Sequence, residues 1–588
     1  MGSPIPGEFP FHQIPENLRL PLFWAEVDPS QANSNQQNQR SLLIGPMLID
    51  PTKASLVHTA ATNAGSSTNS ISFATQPSGV QVGDYVFDTT TTAAIPEGTT
   101  VTSLGTSIGL SANATGVLSA DVIAFVSIVP KLCQSSAVAR GFYGAGSILP
   151  DMVDRYRQND LFGELWTIGI PDDLAATAAT STIVIAGTPS ANGTLAFYVN
   201  GTPVAVPVTT AMTAIQIATA IAAAFNAAGD INSQNPIPFT SANSGTATVT
   251  NTSRHKGAVG NDLDIRLNYY GQFAGEVTPP GLTVTITPFA SGATNPATVL
   301  NAALNALGDY QTFDFIGLPW NDTTSLNNIG TFLNDIAGRW SWIKQIYGHA
   351  FTALRGSVSS LVSFGTGRND QHATIIGFND SPSPSWMWAA ALTGACAVSA
   401  RDDPGQPLHG MILQGLLAPP LASRFALSDR NVLVWDGISV FDVSPSGQII
   451  TQLVITTYQL NTAGVPDNSY LKVETMQLLT AVLRFLRSIV TTQFARKKLA
   501  VDGTPIPANS NIVTPSIIRA SMIEAYLQME GFGWVQADFA FNKMVQVQID
   551  PHYPNRVNIL WPGILINQLD VVALLAQFRL SPPTALAA

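Results

Sequence analysis

Residues 54–130 and 158–253 contain no lysine or arginine. Both stretches are rich in Gly, Ser and Thr, and their apolar runs are too short for helices, so both must be built mainly from strands. In the first, the runs 71–74, 80–87 and 122–129 predict a small all-β domain over 54–131. Its Asp84, Asp88, Glu97 and Asp121 have no basic neighbour in sequence, which predicts an outward, acidic face. In the second, Leu195, Phe197 and Val199 alternate toward Asn200-Gly201, and Val204, Val206 and Val208 return. An Asn-Gly pair between alternating strands is a strong hairpin signal, because both positions tolerate positive φ. An Ala-rich helix over 211–228 and strands near 247–251, 262–269 and 282–288 complete a second inserted domain, mostly β with one helix, over 177–293.

The segments between and around these stretches are different in kind. Residues 41–49 (SLLIGPMLI) read as a buried strand. Segment 132–176 offers a turn at 142–147, a helix over 151–158 and a strand led by Leu165-Trp166. Segment 294–470 alternates strand and helix: a strand at 313–318, Leu326, Ile329, Leu333 and Ile336 at helical spacing, an apolar segment at 343–350, a helix near Ser357, a strand at 374–378 and an apolar run at 386–397. The expected fold class is therefore α/β (mixed α+β), a core assembled from discontinuous segments and interrupted by two inserted mostly-β domains. Pro4, Pro6, Pro10, Pro15, Pro21 and Pro29 keep the start of the chain out of any helix. Residues 1–53 are thus an extended arm, a polar connector over 31–40 and the first core strand.

Charge and chemistry exclude several function classes. Only 11% of the 588 residues are charged, against about 25% in ordinary soluble proteins; this suits a surface covered by copies of itself, and composition alone suits a plain neutral secreted or β-rich protein slightly better. A net charge of −11 argues against binding nucleic acid through phosphates. Cys133 and Cys396 form no disulfide framework and lie in no zinc-binding spacing. The start of the chain lacks the regions of a signal peptide, and no apolar run reaches the roughly 18 residues of a membrane span, so a soluble protein of a reducing compartment is expected. Gly105-Thr106-Ser107-Ile108-Gly109 matches a nucleophile elbow in letters only, since no strand-turn-helix flanks it. Gly141, Gly144 and Gly146 have the wrong spacing for a dinucleotide loop and read as a packing turn. Arg401, Asp402 and Asp403 with His409 read as a solvated loop after a helix. No catalytic residue, metal site or cofactor is expected.

Residues 471–588 carry the most information. Leu479, Val482, Leu483, Leu486, Ile489, Val490 and Phe494 form the apolar stripe of a long helix over 472–500, and Arg484, Arg487 and Lys498 fall along one border of it as a basic ridge. Thr514 as N-cap, Pro515 at the first helical position and Gly531 at the exit bound a second helix. Val545, Val547 and Ile549 alternate with polar residues, and a second strand follows from 557 to 561.

Together, Glu474-Thr475, Arg496-Lys497-Lys498-Leu499, Val513-Thr514-Pro515, Pro554-Asn555-Arg556-Val557 and Asn567-Gln568-Leu569 resemble, in order and spacing, the contractile tail sheath proteins of the Mu-like myophage family. The turn at 142–147 and Phe315-Ile316-Gly317-Leu318-Pro319-Trp320 extend the resemblance, which covers 1–53, 132–176 and 294–580 and leaves the two insertions outside it. The resemblance implies a homo-oligomer of stacked rings around a tail tube protein, bounded by baseplate and tail terminator proteins. It implies a virion component assembled in the host cytoplasm, whose contraction drives the tube through the envelope with no ATP, metal, direct nucleic acid or membrane insertion. Neighbouring subunits would exchange terminal strands, for which Pro15 and Leu20 at one end and Val571, Leu574 and Phe578 at the other are candidates. Arg484, Arg487 and Lys498 are the candidate tube contact; the helix over 514–531, with Glu524 and Glu530, competes for that surface, and a ridge of long basic side chains can also merely solvate a helix edge. The alternatives are a virion surface enzyme such as a glycan hydrolase, or a receptor-binding adhesin.

Overall fold

A strand with no charged side chain on either face must sit where both faces are covered. Ser41–Met47 (β1) is such a strand, buried along its whole length, and the fold is built around it. The computed structural model describes residues 39–48, 57–59, 68–90, 94–118, 120–230, 232–309, 311–507 and 510–578. Every described strand and helix belongs to the unit that begins at Gln39. Pro15 and Leu20 lie outside the described residues.

With β1 pair Lys131–Leu132 (β2), Leu165–Pro171 (β3), Phe315–Gly317 (β4), His349–Arg355 (β5) and Ala373–Phe378 (β6), in the order β6-β5-β4-β1-β3-β2. Every neighbouring pair is parallel except β2 with β3. Strands distant in sequence thus meet in one sheet, and the mixed α/β core of discontinuous segments is as expected. Ile148–Asn159 (α1) and Ser385–Asp402 (α2) pack against each other and against β1. Helix α2 is apolar around its whole circumference because it is enclosed on all sides. Gly394 permits the crossing: a Cβ there would stand 2.8 Å from the Tyr156 carbonyl oxygen.

The first insertion folds as two three-stranded sheets, one of Val57–Thr59, Val122–Val126 and Tyr85–Asp88, the other of Ser70–Ser72, Ser107–Leu110 and Val101–Ser103. Its strands serve two cores at once. Val86, Ile123 and Phe125 join Ile71, Ile95 and Ile108 in a core of their own, while Tyr85, Phe87, Ala124 and Val126 belong to the core of the main body. This follows from the two-residue period of a strand, which sends successive side chains to opposite faces.

The second insertion has a four-stranded antiparallel sheet (Phe239–Ala242, Thr248–Lys256, Ala178–Gly187, Leu282–Ala290) and a three-stranded one (Thr202–Val208, Gly193–Val199, Ile265–Leu267). The helix Ala214–Ala227 packs on both sheets, and Thr177 bridges Ala293 at the base. The Asn200-Gly201 turn is a two-residue hairpin with φ of 49° and 85°, pairing Val199 with Thr202. Phe197, Phe225 and Phe239 run without a break into the core of the body.

Two local expectations change. The helix Thr323–Leu333 stops before Ile336, which is 84% exposed, because the Asn334 side chain accepts hydrogen bonds from the backbone of Ile336, Ala337 and Gly338. The long helix ends at Gln493 rather than near 500. Arg496 turns into the left-handed region at φ 61°, and Lys498-Leu499 then pairs in parallel with Ile512-Val513; strand pairing has overridden helix propensity. Residues 571–578, expected to pair with a neighbouring subunit, take up no strand within the described residues of this single chain. A strand needs a ladder partner, and the described residues supply none to 571–578.

Candidate functional site

Ser147, His255 and Asp172 come from three distant segments and stand as a Ser-His-Asp constellation that no sequence motif announces. Ser147 Oγ is 3.1 Å from His255 Nε2, and His255 Nδ1 is 3.1 Å from Asp172 Oδ1. The arrangement is not a working nucleophile. Ser147 and His255 are both 0% exposed, the Ser147 hydroxyl donates to the Pro46 carbonyl at 2.6 Å, and the Ile148 N–H donates to His255 Nε2 at 3.3 Å. A triad needs a hydroxyl free to attack and room for a substrate. Here the three residues clamp the second insertion onto the start of α1.

A second buried cluster reinforces that clamp. Asp151 Oδ1 accepts from Asn235 Nδ2 at 2.9 Å and from the Ser233 hydroxyl at 3.3 Å, and Arg155 meets Asp230 at 2.5 Å. Burial, together with the neighbouring Asp230 charge, pushes the Asp151 carboxyl up to about 8. Ser107 of the elbow-like sequence begins a strand with no helix after it. The expectation of a solvated loop at 401–403 is corrected for Arg401, which lies in the last turn of α2 and pairs with Asp160 at 2.6 Å. His409 lines a separate open cleft of about 470 Å³ with Asp442 and Asp570, whose carboxylates are already paired with Arg430 and Lys472. Among the described residues no group of three or more His, Cys, Asp or Glu is placed to hold a metal ion, and no helix is long and apolar enough to cross a membrane.

The surface that remains is the C-terminal one, organised on Val473–Gln493 (α3). The first turns of α3 belong to the body: Val473, Met476 and Leu478 are buried there, and Glu474 accepts from the Leu408 N–H at 2.6 Å. From Val482 onward the helix belongs to a separate core with Val513, Phe541, Val545 and the Pro515–Gly531 helix (α4), which contributes Ile518, Met522, Tyr526 and Met529. Tyr526 stacks on Phe541 at 3.8 Å. The antiparallel pair Gln546–Ile549 and Val557–Leu560 lies beside α4.

The basic ridge does not survive as a unit. Arg484 turns inward, paired with Asp314 at 2.6 Å with side-chain exposures of 12% and 8%. It also donates to the Ile346 carbonyl at 3.1 Å and lies over the Tyr347 ring. Arg487 is exposed and donates to the Gln345 carbonyl at 3.3 Å. Lys498 is exposed on the short strand beyond the helix end. Nothing in the sequence links Arg484 to Asp314. On α4, Glu524 is exposed. Val571, Leu574 and Phe578 project into solvent at 79%, 86% and 82% exposure.

The model of the phage tail sheath protein central domain matches residues 291–457. A Mu-like prophage FluMu tail sheath protein of Haemophilus influenzae is 34% identical over 444 residues, which is 76% of this chain and 88% of that protein. Two solved sheath tail proteins overlap more loosely. The one from Desulfitobacterium hafniense is 12% identical, with a TM-score of 0.39 over 74% of this chain and 91% of that one. The one from Listeria innocua is 10% identical, with a TM-score of 0.36 over 75% and 92%. The identity to the Haemophilus influenzae protein, carried through most of both chains, decides the assignment: this chain belongs to the phage tail sheath protein family.

Proposed function

We propose that this protein is the repeating subunit of a contractile tail sheath, polymerising in stacked rings around a tail tube and driving that tube through the host envelope when the rings contract. The observation that carries the reading is the 34% identity spread over 88% of a tail sheath protein. Its role is structural rather than enzymatic, its further partners are baseplate and tail terminator proteins, and it is a virion component assembled in the host cytoplasm. The segment over 571–578 (VVALLAQF) supports strand exchange between subunits: it is uncharged, apolar and without a partner strand among the described residues of its own chain. Such a segment gains backbone hydrogen bonds by adding to a neighbour's sheet edge. For the tube contact, the inward turn of Arg484 favours Arg487 and Lys498, with Glu524 of α4 as the competing group. Exposed charge pairs of about 0.2 to 1 kcal/mol each, repeated by symmetry, suit a grip that must later release.

Negative-stain microscopy of the purified protein tests the reading. Hollow tubes of stacked rings are expected; a monodisperse monomer at every concentration and salt tried would overturn it.

A further inference from the structure

Helix α3 is shared between two cores, and the seam where it passes from one to the other is polar. Every core residue on the far side of the seam is Val482 or later in the chain. On the near side, a cavity of about 20 Å³ is lined by Gln39, Asp314, His349, Gln477 and Thr480, among others. Among the described residues, both polar side-chain atoms of Gln477, His349 Nδ1 and Gln39 Oε1 are buried there without a hydrogen-bond partner. Burial holds the His349 imidazole neutral, lowered to about 3, so it offers Asp314 no charge. Phe315, Trp340 and Met476 line the same cavity, so these polar groups are set among apolar side chains at the seam.

Asp314 is tied to the body by three backbone hydrogen bonds and reaches across the seam with one carboxylate oxygen. Its N–H donates to the Arg40 carbonyl at 2.8 Å, and its carbonyl accepts from the His349 N–H at 2.9 Å. One carboxylate oxygen accepts from the Arg40 N–H at 3.2 Å, and the other meets Arg484 on α3 at 2.6 Å. We propose that Asp314 mechanically couples the entry of the chain into the body, at Gln39 and Arg40, to helix α3 through Arg484, so that the two move as one unit. Its consequence for a sheath rests on the function proposed above: a pull on residues preceding Gln39 would be delivered to the C-terminal core rather than absorbed at the seam.

Asp314→Asn turns an amide N–H toward the Arg484 guanidinium, and Arg484→Gln leaves the Asp314 carboxylate with Arg339, which it does not touch in an ion pair, as the nearby cation. The pair of substitutions together removes both charges, and glutamine, shorter than arginine by two bonds, does not bridge to the amide introduced at position 314.

Hydrogen exchange on the unassembled full-length chain tests the coupling independently of whether tubes form. Each single variant is expected to raise exchange about tenfold in both 39–48 and 476–490, with 214–227 in the second insertion unchanged, and the double variant to raise it no further than one single does, because either substitution alone already breaks the link. Arg487→Gln is expected to leave 39–48 untouched. An effect of Arg484→Gln confined to 476–490, or effects of the two substitutions that multiply in the double variant, overturns the inference. Should the singles fail to fold, the double variant is read alone: exchange raised in both segments supports the coupling, and a rise confined to one of them overturns it.

Discussion

Asp151→Asn should make the protein more stable at neutral pH, although the native side chain accepts two hydrogen bonds from the second insertion. The ordinary value of 3.8 is raised to about 8 by burial first and by the Asp230 charge second, with Asn235, Arg155 and Ser233 opposing. Asp154 on the same helix also feels the Asp230 charge. At pH 7 the folded state therefore carries a protonated Asp151, whereas the unfolded chain does not. Folding takes up a proton between the two values, so stability is greatest at low pH, falls as pH rises from about 4 to about 8, and is flat beyond. At about 1.4 kcal/mol per unit, the cost accumulated by pH 7 is at most roughly 4 kcal/mol. Asparagine reproduces the shape of the neutral acid, keeps an oxygen for Asn235 and Ser233, and carries no such cost. Urea unfolding of wild type and variant at pH 5, 6, 7 and 8 measures the difference, which should widen with pH by about one kcal/mol or slightly more per unit. A difference independent of pH, or a variant that is the less stable at pH 8, would refute the argument by showing that Asp151 is ionised in the fold.

Reversing both Arg487 and Lys498 to Glu should leave the melting temperature unchanged, since both are exposed, yet prevent co-assembly with the tube at low salt; unchanged co-assembly moves the contact elsewhere, with α4 next in line. Arg484→Glu should by contrast destabilise the isolated chain by about 3 to 5 kcal/mol, because it sets two carboxylates together in a buried site, and calorimetry distinguishes the two outcomes. Truncation before Val571 removes the exposed side chains of 571–578, so the monomer should melt as wild type while tubes fail to form in the microscope. Excising 55–129 should leave a folded body that binds hydrophobic dye and elutes as aggregates, because Tyr85, Phe87, Ala124 and Val126 leave the body's core with it; a clean monomer without dye binding would mean that the body closes without them.

Local chemistry was legible in the sequence alone. Asn200-Gly201 between alternating strands becomes the hairpin, Thr514-Pro515 opens α4, and an uncharged run at 41–47 becomes the central strand. For the hairpin and for α4, residues adjacent in the chain set the backbone conformation, through Asn-Gly at positive φ and Pro515 in the first turn, whereas for β1 the sequence supplies only the uncharged pattern that two-sided burial requires. The family resemblance over 472–580 was legible too, since it rests on the order of short motifs.

The tertiary structure alone decided which residues meet. Arg484 looked like its neighbour Arg487 on a helical wheel, yet Asp314 and the Tyr347 ring draw it inward and leave Arg487 at the surface. Lys498 left the helix because a strand at 512–513 was available to pair with its backbone. Ser147, His255 and Asp172 converge without any motif because three segments pack at one point. A buried ion pair or hydrogen-bond cluster depends on distance and desolvation, and both are set only when segments remote in sequence are packed together.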